Sequence, residues 1–221
     1  STAEAAALGE VLPSDRLAAL AVAHAGGAMV LDIPAETVLE EPVRVRLHGD
    51  DADRLVWGHL VVRIGSHTRA TIVFEHTGSA RYSATTSVLV GDGAEVVMAS
   101  IYDWDDDAVH AAQVGVRVGR DAHVRLAEVS FGGDLVRTCS NVESAGPGGE
   151  AELLGLSFAD AGQHIEHRLF VDHTAPKTRS HVSYKGALQG ERAHTVWIGN
   201  VLIRKIAEGI DTYEENRNLV L

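Results

Sequence analysis

RIGSHTRATIVFE (63–75), LVGDGAEVVMASI (89–101) and RVGRDAHVRLAEV (117–129) share one plan: an apolar run, a glycine turn, then a second alternating apolar run. Gly65, Gly91 and Gly119 mark the three turns, and Gly146, in AGPGGEAELLGL (145–156), continues the series at the same near-constant interval. A fixed interval of this size marks a repeat architecture. It is too short for a propeller blade, and the segments between turns are too rich in β-branched residues for helical repeats. Coils of two or three short strands fit, each strand pairing with the coil above and below and burying one apolar stripe. The spacing predicts an all-β parallel β-helix of roughly six rungs. A β-sandwich with coincidental spacing is the competing architecture.

Outside the repeats the texture agrees. VRVRL (43–47), LVVRI (60–64) and VGVRV (114–118) alternate with a period of two, punctuated by Gly and Asp. Turns in DHTAPKT (172–178) and around RKIAEG (204–209) keep the interval loosely without the glycine. SDRLAALAVAHA (14–25) reads differently. Pro13 and Ser14 form a helix start, Asp15 lies in the first turn, Leu17, Leu20, Ala21 and His24 have helical spacing, and Gly26 and Gly27 end it. The predicted organisation is a helical segment over 1–27 and a β-helix core over 28–221, cut at its C-terminal end. Leu219, Val220 and Leu221 are read there as the start of a strand entering the next rung.

Composition narrows the partners. Lys and Arg total 19 against 31 Asp and Glu, a net charge of -12, which disfavours nucleic acid and anionic membrane. No run approaches the ~18 apolar residues that span a bilayer, and residues 1–12 lack a signal-peptide pattern. Cys139 is the sole cysteine, so the chain has neither an internal disulfide nor a multi-cysteine metal site. A cytoplasmic protein is expected.

Self-contained chemistry is not visible. Of His164, His167 and His173, the first two would share a face in a helix, but i, i+3 positions of a strand point to opposite sides. His59, His67 and His76 are read as half-exposed polar residues on the outside of a coil. Asp103, Asp105 and Asp107 alternate as in a calcium loop, yet Ala108 and Val114 stand where that loop needs Gly and Glu. Neither Lys-Ser nor Lys-Thr follows GPGG (146–149), so it reads as a turn rather than a phosphate cradle. Cys139 reads as a small buried apolar group. No catalytic, cofactor-binding or metal-ligating residue is assigned.

The C-terminal stretch, SYKGALQGERAHTVWIGNVLIRKIAEGIDTYEENRNLVL (183–221), carries the most distinctive pattern. Tyr184, Lys185, Gly186, Gly199, Asp211, Tyr213, Asn216, Arg217, Asn218 and Leu219 occur in the order and spacing of the shared core of the SufB/SufD family, which this chain closely resembles from about Leu17 onward. The SufD branch is the nearer pattern, because SufB proteins carry a cysteine in the strand that here reads IVFEHTGSARYSA (72–84), with His76 and Thr77. The resemblance implies a right-handed parallel β-helix and a non-catalytic scaffold role in iron-sulfur cluster assembly. It also implies SufB and the SufC ATPase as partners, pairing through β-helix ends, with a cluster possible only in the full complex and no cofactor in this fragment. The matching residues are expected to be structural, with Glu214–Asn218 forming a corner and Tyr184 and Trp197 packing between rungs. An open β-helix end also suits self-association through the C-terminal rung. The competing functional readings are a β-helical carbohydrate-active enzyme, which would need a carboxylate cluster, an acyltransferase, which would need a six-residue repeat, and a plain structural or adhesion solenoid.

Overall fold

The computed structural model describes residues 11–221; residues 1–10 of the predicted helical segment lie outside them. Among the described residues one helix, α1 (Arg16–His24), precedes twelve strands. These are β1 (Met29–Ile33), β2 (Val43–Ile64), β3 (Arg69–Val90), β4 (Glu95–Trp104), β5 (Val109–Val118), β6 (His123–Ser130), β7 (Leu135–Ser144), β8 (Glu150–Ala159), β9 (His164–His173), β10 (Arg179–Leu188), β11 (His194–Ile203) and β12 (Asp211–Val220). Their spatial order is β11-β9-β7-β5-β3-β4-β6-β8-β10-β12, with β2 beside β3 and β1 beside β2.

Every strand pairing is parallel. The arrangement is a parallel β-helix with two strands per turn. An odd wall stacks β1, the second half of β2, the second half of β3, then β5, β7, β9 and β11. An even wall stacks the first halves of β2 and β3, then β4, β6, β8, β10 and β12. Each wall is thus seven layers deep among the described residues, one more than the spacing predicts. Two residues after each counted glycine the chain turns left-handed, at His67, Gly93, Asp121 and Gly148, and Glu36 (φ 59°) and Lys177 (φ 57°) take that place at corners without the glycine.

The glycine column is explained by close approach of backbone. Gly65, Gly91, Gly119 and Gly146 stack at one corner, each N–H donating to a carbonyl one rung away: Ile33, Ile64, Val90 and Val118, at 2.8–3.0 Å. A Cβ on Gly146 would lie 2.0 Å from the Arg120 nitrogen, and one on Gly65 2.2 Å from that of Ala35. At these four corners only glycine avoids collision with the backbone one rung away.

Alternation sends one face of each wall into a common core. Ile72, Val88, Val116, Val118, Leu153 and Ile165 are wholly buried there, each worth about 1.5–3 kcal/mol of transfer free energy. The outer face of the even wall carries cross-strand charge pairs, among them Arg69–Glu95, Arg125–Glu152 and Arg179–Glu150. Such exposed pairs add little stability but favour one register.

Helix α1 starts one residue later than the sequence suggests. Asp15, extended at φ -141°, is the N-cap, its Oδ1 accepting from Ala18 N at 2.9 Å. Ser14 is drawn off to Gln113, donating from both N and Oγ to Oε1. The helix lies on β2, β3 and β5 through Ala18 and Ala21, while Leu17 stays exposed. Beneath it run the outward residues of one odd-wall column: His59, Thr85, Gln113 and Cys139, all buried.

Candidate functional site

The core contains a polar lane. In the even wall, Ser100, Glu128, Gly155, Tyr184 and Asn216 form one inward column, each paired with the next rung's residue. Gly155 leaves its rung empty, and the Tyr184 ring fills the space: a Cβ on Gly155 would meet that ring at 1.9 Å. The Tyr184 hydroxyl thereby reaches past one rung and donates to Glu128 Oε2 at 2.6 Å, while Ser140 Oγ, from the odd wall, donates to Oε1 at 3.0 Å. Burial, and then the Glu128 charge, push the Tyr184 hydroxyl well above the usual phenol range, so it remains a donor. His167 sits beside this pair, with Nε2 3.1 Å from Ser130 Oγ and its ring 5.4 Å from that of Tyr184.

Further along the lane is an aromatic and imidazole box. His76, Tyr82, Tyr102, Trp104 and His110 bring their ring centroids within 4.9–6.3 Å of their neighbours, and all but Trp104 line an internal cavity of about 20 Å³. Burial lowers His76 to about 4 and holds His110 well below the usual imidazole range. Both are therefore neutral in the folded chain, and protonation is coupled to unfolding. Between the unfolded value of 6.5 and the folded value near 4, the unfolded chain binds protons that the folded chain refuses, so stability is complete above that window and falls as pH falls through it. The urea midpoint is expected to drop between pH 7 and pH 5 by the equivalent of about 2 kcal/mol or more, and a His76→Phe, His110→Phe chain to lose most of that slope. A flat profile in the unsubstituted chain contradicts this.

A second cluster lies on the outer face of the odd wall. Arg137 Nη1 pairs with Asp15 Oδ2 at 2.8 Å, and its Nε with Glu166 Oε1 at 3.2 Å. Arg168 pairs with the same Glu166 oxygen, and Glu166 Oε2 lies 3.3 Å from His164 Nε2. His164 Nδ1 faces His194 Nδ1 at 2.8 Å. Burial would raise the Glu166 carboxyl, but hydrogen bonds from Arg168 and His164 and the charges of Arg168 and Arg137 outweigh it and hold the group below the usual range. Cys139 Sγ lies 3.9 Å from Asp15 Oδ2, and burial raises the thiol to about 11, an unreactive state.

These positions correct part of the sequence reading. His59 and His76 are buried rather than half-exposed, as are His110, His167 and His173. The His164, His167, His173 trio is indeed split, since His164 faces outward and the other two inward. Its real companion is His194, one rung away. The aspartate run ends β4 and makes a turn, where Ser79 Oγ donates to Asp105 and Asp107. Among the described residues no group of three or more His, Cys, Asp or Glu is placed to hold a metal ion, and no helix is long and apolar enough to cross a membrane.

A family model described as "SUF system FeS cluster assembly, SufBD core domain" matches residues 46–221. The chain belongs to the SufBD family. An iron-sulfur cluster assembly SufBD family protein of Mycobacterium bovis is 45% identical over 216 residues, covering 95% of this chain and 54% of the relative. One from Mycobacterium leprae is 44% identical over 216 residues, with 95% and 55% covered. One from Synechocystis is 23% identical over 207 residues, with 87% and 45% covered. The chain spans about half the length of the curated relatives it matches.

The SufBD motif residues fall on β10, β11 and β12. Tyr184 and Gly186 face inward on β10 and Lys185 outward. Gly199, on β11, makes room for Trp197 and Glu214, whose atoms a Cβ would meet at 2.4 and 2.0 Å. Asn216 and Asn218 share the inward columns of Tyr184 and Gly186, while Asp211, Tyr213 and Arg217 alternate with them. The predicted corner at Glu214–Asn218 is instead the middle of β12, and neither Asn has positive φ. Register with β10 through ten consecutive pairs outweighs the turn propensity of Asn. Leu219–Leu221 correspondingly lie exposed at the end of β12, rather than beginning a strand. Tyr184 and Trp197 do pack between rungs, with ring centroids 6.4 Å apart.

Proposed function

We propose that this chain is the core of a SufD-like, non-catalytic scaffold subunit that works in iron-sulfur cluster assembly by contact with a SufB homologue and a SufC-type ATPase. The observation that carries this reading is the match of residues 46–221 to the SufBD core domain, borne on a stiff parallel β-helix. The same reading includes self-association of the isolated chain through its C-terminal rung. Any cluster is assembled in the full complex, with this chain supplying frame rather than ligands, and the setting is the cytoplasm.

Co-expression of the full-length parent with SufB and SufC homologues, followed by size exclusion with light scattering, tests the proposal. A stable complex with ATPase activity is expected, and the chain alone should gain mass with concentration. A parent that elutes without either partner contradicts the scaffold role, and a strictly monomeric chain contradicts self-association.

A further inference from the structure

We infer that His164 and His194 form a two-histidine site for a divalent transition-metal ion on the outer face of the odd wall, with Glu166 as the carboxylate that orients it. The two histidines are register partners on β9 and β11. Their rings are tilted by 55° with centroids 4.7 Å apart, so the Nδ1 atoms meet at 2.8 Å while the rings diverge. An ion with metal–nitrogen bonds of about 2.0–2.1 Å and tetrahedral angles holds its two nitrogens about 3.3 Å apart. Opening the pair by about half an ångström admits it, and both rings are partly exposed on the outer face.

The surroundings fix the chemistry of the ring. His164 Nε2 faces the Glu166 carboxylate, an acceptor, so Nε2 carries the proton and Nδ1 presents a lone pair. That is the carboxylate–histidine arrangement that orients metal-bound imidazoles. Glu166 is itself held by Arg137 and Arg168, and Arg137 by Asp15, so the support extends to the cap of α1. In the metal-free pair His194 donates Nδ1–H to His164. On binding, the His194 proton moves to its Nε2 through solvent, leaving both Nδ1 atoms as ligands and both rings neutral. Water fills the remaining positions. Imidazole pairs suit zinc, nickel, cobalt or ferrous iron rather than magnesium or calcium. The neighbouring cations Arg137 and Arg168 are both engaged by Glu166. The site does not depend on the scaffold reading, because the chain alone supplies it.

Zinc titration of the full chain against a chromophoric chelator at pH 7.5 tests the site. One saturable equivalent is expected. His164→Gln and His194→Gln, which keep side-chain length and leave the ladder intact, should each weaken it by about tenfold or more, and Glu166→Gln by about tenfold. His181→Ala, on the other wall, should leave it unchanged. Cobalt should shift two imidazole resonances in the NMR spectrum of the unsubstituted chain and neither in the His164→Gln chain. No saturable binding, or binding that survives both glutamine substitutions, overturns the inference and leaves the contact as a hydrogen bond alone.

Discussion

Gly146→Ala will destabilise the chain by about 3 kcal/mol or more, a large part of the roughly 5–15 kcal/mol typical of a domain. The added methyl would sit 2.0 Å from the Arg120 nitrogen, 2.3 Å from the Gly119 carbonyl carbon and 2.5 Å from the Arg120 Cα. All three are backbone atoms of the corner one rung earlier, so no rotamer change relieves the overlap. Relief requires the rungs to part by more than about 1 Å, which breaks the hydrogen bonds from Gly146 N to Val118 O and from Asp121 N to Pro147 O, both 3.0 Å. Gly162→Ala is the control. Gly162 has φ 81° with open space around it, so its cost is the left-handed strain alone, about 1–2 kcal/mol. Urea unfolding of the two variants should show Gly146→Ala as the clearly larger loss; the reverse order would contradict the stacked-corner geometry.

The second large effect is expected at Tyr184. Tyr184→Ala removes a buried ring and should cost about 3–5 kcal/mol. Tyr184→Phe keeps the ring but leaves Glu128 Oε2 without its 2.6 Å donor, at a cost of about 1.5–3 kcal/mol. Glu128→Gln retains an acceptor for the hydroxyl and should be milder. Gly155→Ala supplies the decisive comparison. In the unsubstituted chain its methyl strikes the Tyr184 ring at 1.9 Å, whereas in a Tyr184→Ala background that obstacle is gone. The two substitutions should therefore be strongly non-additive, with Gly155→Ala costing much less in the second background. Additive losses would mean that Tyr184 does not lie over Gly155.

How far the sequence reveals these features depends on the range of the interactions behind them. The solenoid was legible because its corners demand glycine at close approach, and Gly65, Gly91, Gly119 and Gly146 record that demand at a near-constant interval. The corner at Glu36 was not, since Pro34 and Ala35 precede it with no glycine to mark it, while the corner at Lys177 showed only as the turn in DHTAPKT (172–178). The polar lane was hidden for a related reason. Tyr184 was expected between rungs, but Glu128 and His167 are polar and gave no sign of burial, which only cross-rung partners make tolerable. The outer cluster required a different search. His164 and His194 are separated in sequence by the length of one rung, and so are Arg137 and Glu166. Comparing residues at rung interval would therefore have found what helical or strand spacing could not. The β12 motif misled locally because Asn and Glu favour turns in isolation, while ten register pairs with β10 hold them extended.

Each of these features serves a stiff frame, which we propose works by holding partners. Co-expression of the full-length parent with SufB and SufC homologues, beside a control lacking the parent, is the most direct measurement. All three are expected to co-elute through stringent washing, with ATP turnover that differs from the control. A parent that elutes alone, leaving SufB and SufC with unchanged turnover, would contradict the proposal.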